Sequence, residues 1–232
     1  LQIKELKKRV CEANLALVKH RLVISTFGNV SGIDRKLGIV AIKPSGVPYN
    51  DLTPEKIVVV DLSGKVVDGN LKPSMDTMTH LMLYLSWSEI GGVCHTHSPF
   101  ATAFAQAEKP IPCLGTTHAD HFYGEIPVTR QLRMMEVRTD YEKNTGRVIL
   151  ETFKKIKPME MPGVLVAKHG PFTWGKDEMD AVNNSLLLEE IAKMTFMTFQ
   201  LNPKIRPVAK YILDQHYLRK HGPKAIYGQN KK

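Results

Sequence analysis

Two short apolar runs in this chain each lead into histidine. Ile90-Gly91-Gly92-Val93 precedes Cys94-His95-Thr96-His97, and Gly163-Val164-Leu165-Val166-Ala167 precedes His169-Gly170. Apolar segments of this length suit buried strands. Side chains two apart on a strand share a face, so His95 and His97 project together. A third imidazole, His169, from a neighbouring strand end would complete a three-nitrogen face. The fold must therefore bring together two strand ends that lie far apart in sequence. Three nitrogen ligands with positions left open are the layout of a catalytic metal site rather than a closed structural one.

The rest of the composition is that of an ordinary globular chain. At 232 residues, with 43% hydrophobic and 24% charged side chains, the chain is within range for a single α/β or α+β domain with a sizeable core. No apolar stretch approaches the roughly 20 residues that a bilayer span needs, and the N-terminal segment is charged and amphipathic, so a cytoplasmic protein with no membrane partner is expected. Three cysteines without C-x-x-C spacing argue against both a disulfide framework and a cysteine zinc site. The net charge of +9 is spread along the chain. No helix-turn-helix, zinc-finger or aromatic-rich RNA motif accompanies it, so nucleic acid is not expected as a partner. A phosphate-bearing substrate accounts for the positive excess equally well.

Periodicity predicts a helix over residues 3–20, extended segments at 28–32 and 38–43, and a hairpin joined at Ser63-Gly64. Helices are expected at 76–87 and 99–107, near 140–156, from a cap at Asp177 to about 200, and over 207–220. Further strands are expected at 92–95, near 111–114 and 126–130, and at 163–168. Helices and strands interleave without a linker or repeat, which gives one α/β domain over 1–232.

Three polar loops complement the histidines: Phe27-Gly28-Asn29-Val30-Ser31, Lys43-Pro44-Ser45-Gly46 and Lys72-Pro73-Ser74-Met75-Asp76-Thr77. They supply hydroxyl, amide and ammonium groups. Turn N–H groups, and those at the start of the 76–87 helix, suit a phosphate.

These segments occur in order with Gly115-Thr116-Thr117-His118-Ala119-Asp120, Pro162-Gly163-Val164, His169-Gly170-Pro171-Phe172, His216-Tyr217-Leu218-Arg219-Lys220-His221-Gly222 and Tyr227-Gly228-Gln229. Taken together they closely resemble the L-ribulose-5-phosphate 4-epimerases of the class II aldolase/adducin-head family, over nearly the whole chain. The resemblance implies a three-layer α/β/α fold with a central, largely antiparallel sheet. It also implies a homotetramer with sites at subunit interfaces, over which a tail of about residues 222–232 becomes ordered. His95, His97 and His169 are implied metal ligands, with Asp76 either a fourth ligand, a substrate contact or a helix cap. Zinc, one per subunit, suits three imidazoles, and manganese or another divalent ion is an alternative. Gly28, Asn29, Lys43, Ser45, Gly46, Ser74 and Met75 are implied substrate contacts. Asp120 and Tyr227, from the adjacent subunit, are the implied acid/base pair. His216 and Glu142 match positions near the site, and His118 is placed to orient Asp120. Two departures stand out: Met75 replaces a second serine, and Phe27 replaces a tryptophan.

The implied reaction is chemically coherent. In L-ribulose 5-phosphate, C4 is β to the C2 carbonyl, so its hydrogen is not acidic. The carbonyl does weaken the C3–C4 bond. Cleavage yields a dihydroxyacetone enediolate and glycolaldehyde phosphate, and attack on the other aldehyde face returns C4 inverted. A divalent ion would stabilise the enediolate charge, so no Schiff-base lysine is required. The alternatives on the same scaffold are an L-fuculose- or L-rhamnulose-phosphate-type aldolase and a non-catalytic adducin-like interaction module.

Overall fold

The strands of the computed structural model, which describes residues 2–222 and 225, form one seven-stranded sheet. In chain order they are β1 (Asn29–Asp34), β2 (Ile39–Ile42), β3 (Val58–Asp61), β4 (Val66–Asp68), β5 (Gly92–His95), β6 (Gly163–Val166) and β7 (Gly170–Gly175). Their spatial order is β4-β3-β2-β1-β5-β7-β6, and every ladder is antiparallel. Seven helices accompany them: α1 (Gln2–Lys19), α2 (Thr77–Ser86), α3 (Pro99–Gln106), α4 (Thr116–Ala119), α5 (Met134–Thr152), α6 (Glu178–Leu201) and α7 (Lys210–His221).

Strand alternation sorts the core into layers. Val40, Val58, Val60 and Val93 pack with Leu81, Leu83 and Tyr84 of α2 and Ile149 of α5. The residues between them face the other way. Ile39, Ala41 and Val59 meet Leu6, Val10 and Cys11 of α1, while Val30 and Cys94 meet Ala13 and Leu17 of α1 and Ala181 and Val182 of α6. The arrangement is α/β/α about an antiparallel sheet, as expected. No helix among the described residues is long and apolar enough to cross a membrane.

Three expectations need correction. The strands expected near 111–114 and 126–130 reduce to one antiparallel bridge, Ile111 to Ile126, and a parallel bridge from Val128 to Leu165. Pro110, Pro112 and Pro127 flank these bridges, and each removes an N–H that a longer ladder would need. The helix expected near 140–156 begins at Met134 and breaks at Asp140, whose φ of −160° and ψ of 77° are not helical. Strand β7, which starts on a Gly-Pro turn signal, had no counterpart in the periodicity. At α6 the expected cap is present: the Asp177 side chain accepts from the Asp180 N–H at 2.8 Å.

The start of α6 lies against the sheet where the strands carry glycine. A Cβ on Gly92 would overlap the Asp177 carbonyl, and one on Gly32 would overlap the Glu178 side chain. At Gly92 the close contact is therefore between backbones. Gly92→Ala should lower stability by about 1–3 kcal/mol, the usual cost of overpacking a rigid site. Denaturant unfolding with an unchanged m-value would measure it, and a wild-type midpoint would refute the packing argument.

Candidate active site

The β5–β7 ladder pairs His95 with Phe172, and this register builds the site. The buried His95 ring stacks on Phe172 with centroids 4.1 Å apart. Its Nδ1 lies 3.0 Å from the Pro171 carbonyl oxygen, a partner that can only accept a hydrogen bond. The proton therefore belongs on Nδ1, and Nε2 presents its lone pair. The His97 Nε2 lies 3.0 Å from that atom. His169, on the turn between β6 and β7, brings its ring centroid to 4.6 Å from that of His95 and 5.1 Å from that of His97. One nitrogen from each of the three imidazoles falls within 4.8 Å of the others.

This donor set fits a divalent ion. Burial and its neighbouring imidazoles lower the His169 pKa to about 3, against the partial opposition of Asp76. Burial and His95 likewise lower that of His97. Neutral imidazoles with converging lone pairs are what a metal requires. The frame beneath them is stiff. The Glu189 carboxylate of α6 accepts the N–H groups of Phe100 at 2.9 Å and Ala101 at 2.8 Å, tying down the helix start that follows directly on His97.

The cluster opens into a cleft of about 310 Å³. Gly28, Asn29, Lys43, Ser45, Gly46, Ser74, Met75 and Asp76 line it together with the three histidines, so the loops read from sequence converge here. Two of them are joined edge to edge. The Ser45 N–H donates to the Lys72 carbonyl at 2.9 Å, the Ser74 N–H donates to the Lys43 carbonyl at 3.0 Å, and Pro44 bridges Pro73. This corrects one expectation, since those two serine amides are engaged. Among the described residues, the serine hydroxyls and the N–H groups of Gly46 and Met75 are the donors that remain available in these loops. Gly28 has φ +80°, and a Cβ there would meet Val23 and the His95 carbonyl at 2.8 and 3.0 Å, so glycine lets this loop reach the histidine strand.

Lys43 is 2% exposed. Its ammonium lies 4.8 Å from the Tyr49 ring centroid, with only long contacts to the Thr26 and Pro44 carbonyls at 3.4 and 3.5 Å. No carboxylate among the described residues forms an ion pair with it, and burial lowers its pKa. A buried cation surrounded by neutral groups is costly unless an anion joins it.

Asp76 stands beside the histidine cluster rather than among its converging atoms. It occupies the N-cap position of α2 but makes no side-chain cap bond. Instead Oδ2 accepts from the Asn29 amide at 2.7 Å. Burial pushes its pKa up, but His95, His80 and His169 and the Asn29 bond pull it down further, so it stays ionised. The same Asn29 amide donates to the Ser74 hydroxyl at 3.1 Å, and Asn29 Oδ1 is buried without a partner among the described residues. That orphan acceptor suits a ligand hydroxyl.

Asp120 does not line the cleft of its own chain. It joins α4 to α7, with His216 Nδ1 at 3.0 Å, the Arg219 guanidinium donating to both oxygens at 3.1 Å, and Lys220 at 3.4 Å. Burial raises its pKa, but Arg219, His216 and Lys220 outweigh that and hold it below the ordinary aspartate value. His118 does not orient it: that imidazole is turned to the Gly124 carbonyl at 2.7 Å. The orienting groups are His216, which the sequence placed nearby, and Arg219 and Lys220, which stand in the quoted tail motif without an assigned role. The Glu142 carbonyl accepts from Thr79 at 2.7 Å, and Glu142 does not line the cleft. Tyr227 lies outside the described residues. Tyr141, whose hydroxyl is 3.3 Å from His169 Nδ1, belongs to no motif and had no sequence signal.

An antiparallel α/β/α domain carrying three converging histidines in a cleft lined by serine–glycine loops defines a class. Residues 8–196 match the model of the Class II Aldolase and Adducin N-terminal domain, and the chain belongs to that family. The L-ribulose-5-phosphate 4-epimerase UlaF of Salmonella paratyphi C is 52% identical over 227 residues, covering 98% of this chain and 100% of that protein. Its counterpart in Salmonella typhi matches to the same extent. Among solved structures, an L-fuculose 1-phosphate aldolase superposes with a TM-score of 0.80 at 24% identity, covering 91% of this chain and 94% of that one. The L-fuculose-1-phosphate aldolase from Thermus thermophilus gives 0.66 at 21% identity, over 90% and 100%. The likeness to these two structures is one of fold.

The unpaired Lys43 makes a test of the cleft in the ligand-free protein. Lys43→Met should raise stability by about 1–2 kcal/mol, because it removes an uncompensated buried charge from a binding site, while turnover falls severely. A variant less stable than wild type in thermal unfolding would show that the ammonium is compensated internally.

Proposed function

We propose that this chain is a metal-dependent 4-epimerase that interconverts L-ribulose 5-phosphate and D-xylulose 5-phosphate by breaking and remaking the C3–C4 bond. One observation carries the reading: three converging imidazoles share a single cleft with the Ser45-Gly46 and Ser74-Met75 loops. Near-full-length identity of 52% to proteins named for this reaction supports it.

His95, His97 and His169 would hold a divalent ion, for which zinc best suits the donor set, with Asp76 beside it as a fourth ligand or a contact to the bound substrate. Such an ion supplies positive charge to the oxygens of the sugar enediolate. Lys43 brings a second positive charge from the chain itself, on an ammonium that a sugar oxyanion would neutralise. Asn29 Oδ1 accepts a sugar hydroxyl, and its amide keeps Asp76 and Ser74 in register. The Ser45 and Ser74 hydroxyls, with the Gly46 and Met75 N–H groups, cradle the phosphate at the opposite end.

Inversion requires a proton acceptor for the C4 hydroxyl on one face of the aldehyde and a donor on the other. Asp120, kept ionised by Arg219, His216 and Lys220, is suited to accept. It lies off the cleft of its own chain, so in this reading a neighbouring copy supplies it together with Tyr227, in a homotetramer with shared sites.

The decisive assay follows the C4 hydrogen. In heavy water the wild type should return inverted product without deuterium at C4, because that C–H bond never breaks. Deuterium there would mean direct proton abstraction and would end the retro-aldol reading. Chelation should abolish turnover, and Zn²⁺ or Mn²⁺ should restore it. L-Fuculose 1-phosphate, run in parallel, should be cleaved poorly; preferential cleavage would make the chain an aldolase.

The phosphate assignment has its own test. Ser74→Ala removes one neutral donor to a charged acceptor, worth about 1.5–3 kcal/mol, and KM should rise roughly ten- to a hundred-fold. Met75→Ser should leave KM unchanged or lower it. Unaltered kinetics in the Ser74 variant would put the phosphate elsewhere.

A further inference from the structure

We infer that Tyr141 is the positioning residue of His169, delivered to it by the break in α5; the inference rests on the reading that the three histidines hold a divalent ion. The three imidazoles are not held alike. His95 is fixed by its strand and by the Pro171 carbonyl at 3.0 Å, and His97 lies under the stacked ring of Phe27. His169 sits on a tight turn directly after Lys168, a non-glycine residue with φ +62°. Its ring nitrogen Nδ1 has the Tyr141 hydroxyl at 3.3 Å. Of the three rings, it is the one with a side-chain hydroxyl from another element at its second nitrogen.

The break in α5 aims that side chain. A helix continuing straight from Met134 would carry residue 141 in the phase set by its first turn. At Asp140 the backbone leaves the helix, and the Asp140 carboxylate accepts the Lys143 N–H at 3.3 Å, capping the segment that follows. The Glu136 carbonyl ahead of the break accepts from the Asn144 side chain at 2.8 Å. Tyr141 is the first residue beyond the break. With backbone groups on both sides satisfied, the bend is a built feature rather than a frayed turn.

The chemistry gives this contact a purpose. A neutral imidazole offers a lone pair on one nitrogen only while the other carries the proton. With Nδ1–H donating to the phenol oxygen, Nε2 is left unprotonated and the ring is held against rotation. Partners of this kind typically contribute 10–100-fold to metal affinity.

The test compares Zn²⁺-loaded wild type with Tyr141→Phe, which keeps the ring and removes only the hydroxyl. A chromogenic chelator should strip Zn²⁺ roughly 10–100-fold faster from the variant, and the visible absorption of the Co²⁺ form should change, while the Tm of the metal-free chain stays the same. Equal release rates and an unchanged Co²⁺ spectrum would overturn the assignment and leave the metal reading intact. Faster release matched by a lower metal-free Tm would make Tyr141 a packing residue and also overturn it. A wild-type chain that takes up no Zn²⁺ would remove the metal reading itself, and this assignment with it.

Discussion

The antiparallel pairing of β5 with β7 is the constraint on which the site depends. Its register sets His95 opposite Phe172, stacks the two rings, and carries the Pro171 carbonyl to the imidazole. The same ladder draws the β6–β7 turn, with His169, to the end of β5, where His97 follows. A one-residue slip of β5 would turn His95 to the far face, and one of β7 would do the same to Phe172. The packing of α6 onto the glycine-bearing end of the sheet, and the Glu189 cap on α3, hold that register from behind.

Charge in the cleft is arranged to the same end. Asp76 is ionised amid imidazoles, whereas Lys43 is a buried ammonium without a carboxylate partner among the described residues. The protein thus holds one positive centre on a side chain and offers a place for another on its histidines, both close to loops with free hydroxyl donors. Asp120 represents the opposite arrangement, a carboxylate saturated by cations from α7. In the cleft the carboxylate and the ammonium are held apart on different partners, while at the α4–α7 junction cations are in excess over the one carboxylate.

Much of this was legible in the amino-acid order. The i, i+2 spacing of His95 and His97, the apolar run before His169, and the serine-glycine turns all report local chemistry, and the structure brings them into one cleft. Long amphipathic helices such as α1 and α6 were also visible. What escaped depended on distant contacts or on exceptions to local rules. Prolines around Ile111 and Ile126 reduced two apparent strands to single bridges. Strand β7 hid behind a Gly-Pro turn signal, because its hydrogen-bond partners lie on other strands. His118 looked like a partner for Asp120 by proximity in sequence, yet a turn gave its ring a carbonyl instead. The role of Tyr141 arises from a helix break that periodicity averages away.

The alternation that sets His95 and Val93 on one face of the sheet also has a consequence for Cys94. Sulfur is a stronger ligand than imidazole for soft ions, and here a thiol sits next in sequence to the first histidine. The pleat sends it through the sheet into the apolar layer between α1 and α6, where burial pushes its pKa up to about 12. It is thereby removed from competition twice over, by geometry and by protonation. The run Cys94-His95-Thr96-His97 consequently presents only nitrogen donors to the cleft: the thickness of a single strand separates the imidazoles on one side from a chemically silent thiol on the other.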